Sequence, residues 1–171
     1  PRPDDPALAL KVLDIWTRRA DGAIHHLGVP WKELLEGADA EKHIEKNQGK
    51  LFQIYRAKKL TTVVTLEPLD GLDRKAEAPE LLKAGKSIRD ADVQALYVKY
   101  ARAAAKVLDP AYLGLAAEVN LFRRLNGDEK TYRALVQMAN EAARLVRQDS
   151  ATRKLYVSVQ VDEAWGKGGN R

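Results

Sequence analysis

The sequence predicts an α/β fold made of parallel β/α units that form a partial, half TIM barrel. Three observations predict it. Helix-like and strand-like stretches alternate four times along the chain, the pattern of parallel strands joined by helical crossovers. Alternation along each strand-like run separates an apolar side from a small or polar side. The polar members gather toward the carboxyl ends of these runs, where a (β/α) barrel carries its catalytic rim. An open α/β sheet is the competing arrangement, but such a sheet makes both of its faces largely apolar.

The elements follow in order. Residues 7–19 read as a helix, with Leu8, Val12, Ile15 and Trp16 at helical spacing. Asp21-Gly22 is a turn, and residues 23–27 form a short strand with Ala23 and His25 on one side and Ile24 and His26 on the other. Residues 41–59 form a second helix on Ile44, Leu51, Ile54 and Tyr55. Residues 60–67 are rich in β-branched residues and give the clearest strand, with Thr61, Val63, Thr65 and Glu67 sharing a side. Residues 68–86 are interrupted by Pro68, Gly71, Pro79 and Gly85. A long structureless stretch in a small domain is often functional.

Residues 87–108 are a long helix, with Ser87 placed as its cap and Asp109-Pro110 as its stop. Tyr97 and Tyr100 fall within it and are expected to pack at the surface. Residues 112–120 are the third strand: Leu113, Leu115 and Val119 face one way, and Tyr112, Gly114, Ala116, Glu118 and Asn120 the other. Residues 128–148 are the next helix. Residues 155–161 are the fourth strand, with Tyr156, Ser158, Gln160 and then Asp162 on its polar side. Residues 1–166 thus form one partial barrel domain, and residues 167–171, with Gly168-Gly169, a flexible tail.

Composition narrows the function classes. With 171 residues, 45% of them hydrophobic and 31% charged, the chain is long enough for a real core. The net charge of +5 comes from 29 basic and 24 acidic residues that are interleaved. That spread predicts a solvated surface rather than a nucleic-acid-binding patch. No apolar run reaches the roughly 18 residues of a membrane span. Cys is absent, so neither disulfides nor thiolate metal sites are available, and the compartment stays open. The chain opens at Pro1 rather than Met. A soluble protein is expected, secreted or periplasmic if an upstream export signal was removed.

Two stretches carry a family resemblance. Asp21-Gly22-Ala23-Ile24-His25-His26, followed by Val29-Pro30-Trp31, is similar to the second strand and following loop of the large (β/α)8 clan of retaining glycoside hydrolases. Tyr112-Leu113-Gly114-Leu115-Ala116-Ala117-Glu118-Val119-Asn120 resembles that clan's fourth strand. Galactanase-like members are the nearest, and the resemblance covers the amino-terminal half of such a barrel. It implies that Glu118 is the general acid/base. The clan has Asn before this Glu, where Ala117 stands here. It also implies a nucleophile on the seventh strand, beyond the four strand-like runs of this chain.

The residues themselves suggest the same chemistry. Glycoside hydrolysis uses two carboxyl groups flanking the scissile bond. Glu118 is the candidate acid, since an enclosed setting raises a carboxyl group's pKa toward the range useful for proton donation. Glu67 and Asp162 are the other inward carboxylates. Trp31 and Trp165 are candidates for stacking on sugar rings, and His25, Asn120 and Gln160 for hydrogen bonding to hydroxyls. Bland alternatives stand beside each: a structural ion pair for Glu118, a solvated loop start for Glu67, a solvated end for Asp162, packing for the tryptophans. Neither a cofactor nor a metal is expected, because adjacent residues His25 and His26 point apart on a strand. The expected partner is a carbohydrate or small polar ligand. A non-catalytic binding domain and a self-assembling half-barrel remain as alternatives, the latter through a homodimer that completes the barrel and removes exposed edges.

Overall fold

A computed structural model describes residues 6–167. Four strands form one all-parallel sheet in sequential order: β1 (Gly22–Gly28), β2 (Thr61–Glu67), β3 (Tyr112–Gly114) and β4 (Lys154–Tyr156). Before β1 lies α1 (Pro6–Thr17). Between β1 and β2 run α2 (Trp31–Leu35) and α3 (Ala40–Ala57). Between β2 and β3 come α4 (Pro79–Lys83) and α5 (Ala91–Leu108). Between β3 and β4 come α6 (Val119–Asn126) and α7 (Glu129–Asp149), and α8 (Val161–Ala164) follows β4. This is a partial barrel of parallel β/α units, as the alternation predicts. Among the described residues no helix is long and apolar enough to cross a membrane.

One face of the sheet makes the core. Ala23, Leu27, Val64, Leu66, Leu113 and Leu115 are buried in a cluster with Ile44 and Phe52 of α3, Val93, Tyr97, Ala101 and Leu108 of α5, and Leu135, Met138 and Ala142 of α7. Helical spacing explains the α5 contribution, since its buried residues recur every three or four positions. Tyr97 and Tyr100 lie in this core at 0% and 3% exposure, not at the surface as expected. The small residues Ala101, Ala103, Ala104 and Ala105 let α5 pack between α3 and α7.

Among the described residues, no helical layer covers the opposite, inner face. Ile24 is 73% exposed there, and Tyr112 is also exposed. In barrel terms this is the side that a closed ring of strands fills with its own side chains.

Several boundaries differ from the sequence reading. The stretch 68–86 is not structureless: it holds α4 and a bridge between Leu69 and Glu77. The helix expected from Ser87 begins at Ala91, because the Asp90 carboxylate accepts from the Ser87 N–H and stabilises a turn first. The third strand stops its regular pairing at Gly114. Residues 115–119 stay hydrogen-bonded to 156–158 until Glu118, in the left-handed region, turns the chain into α6. Val119 and Asn120 are therefore helical. The fourth strand is likewise short: Val157, Val159 and Val161 are exposed, and Val161 and Asp162 belong to α8. The expected tail lies outside the described residues except for Lys167.

Candidate functional site

A row of four residues crosses the inner face: His26, Thr65, Gly114 and Tyr156 are successive register partners on β1 to β4. Gly114 is required here. A Cβ at this position would lie 2.7 Å from Cζ of Tyr156, closer than real contacts allow. Without it, the Tyr156 ring lies across β3, and its hydroxyl meets Oγ1 of Thr65 at 2.6 Å. This row forms a floor below the carboxyl ends of the strands.

Glu67 stands above the floor, one same-face position beyond Thr65 on β2. Its residue is 8% exposed, and its Oε1 is buried without a hydrogen-bond partner. Burial pushes the Glu67 carboxyl above the usual carboxylate range, opposed by its hydrogen bond from Arg74. Glu118 comes from the end of the β3 run. Its left-handed backbone (φ 47°) is uncommon for a residue with a side chain and stores strain of about 1–3 kcal/mol. The surroundings hold it: the Glu118 N–H donates to Oγ of Ser158 at 3.0 Å, and its carbonyl accepts from Phe122.

Arg74 joins the two glutamates. Its Nη1 donates to Oε2 of Glu67, and its Nε lies 2.8 Å from Oε2 of Glu118. Burial works against the Arg74 charge, and its contacts with Glu67 and Glu118 outweigh that cost and raise its pKa. The loop carrying Arg74 is fixed at several points. Asp70 Oδ1 accepts from the N–H groups of Leu72 and Asp73, and the Asp70 N–H donates to Ala76. Asn126 at the end of α6 donates to the Lys75 carbonyl. Glu77 accepts from the Ser87 hydroxyl and the Ile88 N–H.

The expected site residues divide into those gathered here and those placed elsewhere. Glu67 and Glu118 converge through Arg74. The enclosed carboxyl is Glu67; the Glu118 side chain is 32% exposed. Asn120 and Gln160 fasten the two strand ends to each other. The Asn120 side-chain amide donates to the Gln160 carbonyl at 2.9 Å, and Asn120 Oδ1 accepts from the Gln160 N–H at 2.8 Å. Gln160 Oε1 also caps α8 by accepting from Glu163. Both therefore have structural bonds.

His25 lies on the wrong side of β1 for this site. It packs edge-on against Phe52 of α3, with ring centroids 5.8 Å apart, and burial lowers its pKa. The residue of β1 in the row is His26, which the same alternation places there. Trp31 is 1% exposed, tilted against Tyr97, and its Nε1 donates to the Pro68 carbonyl at 2.9 Å, so no ring face is open to a sugar. That bond instead anchors the start of the Arg74 loop. Asp162 and Trp165 are exposed on and after α8, and Lys167 lies over the Trp165 ring. Trp165, at 70% exposure, keeps an open face.

Arg74, His26, Thr65, Tyr156 and Ser158 are the members that site prediction missed. The polar side of each strand could have supplied the last four. Arg74 gives no such signal, because it lies in an irregular loop. Two concavities lie in the helical layer. One, of about 890 Å³, is lined by Glu41, Arg102, Lys106 and Asp149. The other, of about 1040 Å³, lies along α5 and α7. Neither is lined by Glu67 or Glu118. Among the described residues, no group of three or more His, Asp or Glu could hold a metal ion. No protein-family model, curated protein or solved structure matches the chain.

Proposed function

We propose that this chain is a glycoside hydrolase-like domain that binds or acts on a carbohydrate at the carboxyl ends of β2 and β3. The observation that carries the reading is the convergence of Glu67, from the end of β2, and Glu118, from the turn between β3 and α6, above a floor containing the Tyr156 ring. In this reading Glu118 exchanges the proton at the glycosidic oxygen, with Glu67 as the second carboxyl group. Tyr156 and His26 supply the surface on which a sugar rests. Glycosidic cleavage requires a proton donor at the leaving oxygen and a carboxylate or activated water at the anomeric carbon. The nucleophile implied by the clan resemblance sits on a barrel strand with no counterpart among the four described here. The test is hydrolysis of aryl β-glycosides and β-linked galacto-oligosaccharides by the wild-type chain and by Glu118→Gln. Turnover lost with the fold intact supports the assignment. Equal turnover in both removes Glu118 as acid/base.

A second reading is favoured by the uncovered inner face and by the free edges of β1 and β4. A second copy, rotated about the barrel axis, would set its β4 beside β1 in the parallel sense and complete the ring. Light scattering at increasing concentration tests it: a dimer is expected, and a monomer throughout excludes it.

A further inference from the structure

Two carboxylates approached by one guanidinium pose a question of charge. A buried carboxylate is costly unless it is paired, and two near each other resist joint ionisation. Glu67 is nearly buried and offers one oxygen to Arg74, while its other oxygen has no partner. Glu118 meets a different nitrogen of the same guanidinium. The planar fork of Arg, unlike the point charge of Lys, can serve both in fixed directions.

We propose that Arg74 is a positioning residue that couples Glu67 to Glu118, its one guanidinium holding both carboxyl groups in fixed directions and favouring the charged form of Glu67. The groups around Glu67 come from every element packed against it. Arg74 approaches from the β2–α4 loop, Glu118 from the start of α6, His26 from β1, and the buried Tyr97 from α5. Only Arg74 among them brings a permanent positive charge, and it is the main opponent of the burial that raises the Glu67 carboxyl. The anchored loop makes this fixed geometry rather than a chance surface contact. Asp70, Glu77, Asn126 and the Trp31–Pro68 bond all hold the segment from which Arg74 extends.

With Arg74 in place, its charge favours ionisation of Glu67 against the burial that opposes it. Without Arg74, burial and the neighbouring Glu118 are opposed only by the weaker influence of His26. The catalytic meaning of this coupling rests on the carbohydrate-active reading above; the titration itself does not.

The experiment is carboxyl carbon NMR of Glu67 across pH 3–9 (about that window) in the wild-type chain, Arg74→Met and Arg74→Lys, with amide spectra confirming the fold. In Arg74→Met the Glu67 midpoint is expected to rise by about one pH unit or more, a tenfold change in ionisation. Adding Glu118→Gln to that variant should bring the midpoint partly back. Arg74→Lys, which keeps the charge and loses the fork, should fall between, and it carries the test if Arg74→Met does not fold. A Glu67 midpoint unmoved in a folded Arg74 variant overturns the proposal. A shifted midpoint in a chain that cleaves no glycoside supports the coupling while removing the hydrolase reading.

Discussion

The two faces of this sheet obey different rules. On the helix-covered face, Val64, Leu66 and Leu113 are 0% exposed and surrounded by apolar side chains from α3, α5 and α7. On the inner face, the partners in the row are a histidine, a threonine, a glycine and a tyrosine, with Glu67 and Glu118 above them. The first face holds the molecule together by burial. The second keeps polar groups in directed contacts that contribute less to stability and leave chemistry available. On the function proposed above, stability and function are separated by the alternation of side chains along the same strands.

Substitutions can sharpen or break this contrast. The largest effect is expected on the covered face. Leu113→Ala should cost about 2–5 kcal/mol in urea unfolding, because α5 and α7 cannot collapse fully into the vacated volume. On the inner face, Gly114→Ala drives a methyl group into the Tyr156 ring. A loss of about 1–3 kcal/mol is expected, together with loss of the Thr65–Tyr156 hydrogen bond in NMR spectra of the tyrosine. Asn120→Ala removes both bonds to Gln160. A cost of about 1–2 kcal/mol by thermal unfolding should follow, with faster amide exchange over residues 156–160.

Glu67 makes a prediction of defined sign. Burial raises its folded-state pKa, so the folded chain holds this proton to higher pH than the unfolded chain does. Below the unfolded value both states are protonated and burial of the charge costs nothing. As pH rises through the window between the two values, the wild type loses stability that Glu67→Gln keeps. The melting-temperature advantage of Glu67→Gln should therefore grow from about pH 4 upward and level off above the folded value. An advantage that shrinks with pH would mean that the Arg74 pair outweighs burial. The smallest effect is expected at Ile24, which is 73% exposed. Ile24→Ser should change monomer stability by less than about 0.5 kcal/mol. A larger loss that depends on protein concentration would place the inner face in a dimer interface.

The sequence made the covered face easy to read and the site only half so. Alternation in β2 and the helical spacing of α5 are strong signals, because burial selects residue type at every second or every third to fourth position. The same alternation puts Glu67 on the inner side, whereas Glu118 reaches it through a left-handed turn rather than through strand pairing. Alternation also puts His26, not His25, there, and His25 packs against Phe52 on the covered side. Trp31 misled for a different reason: beside Pro30 it looks like a loop aromatic, yet α2 folds it under the sheet edge, where its N–H finds the Pro68 carbonyl. The end of β3 was hidden because Val119 and Asn120 continue a strand pattern. The left-handed turn at Glu118 depends on Ser158, forty positions away in the chain. Arg74 was out of reach for the same reason, since long-range ion pairs leave no local pattern.

Recognition of sugar above the Thr65–Tyr156 floor is the property on which the proposed function depends. Amide chemical-shift mapping with β-linked galacto-oligosaccharides tests this most directly. Perturbations clustered at His26, Glu67, Arg74, Gly114, Glu118 and Tyr156, and weakened in Glu67→Gln, are the expected result. Perturbations confined to the α5–α7 groove, or none at saturating sugar, would contradict it.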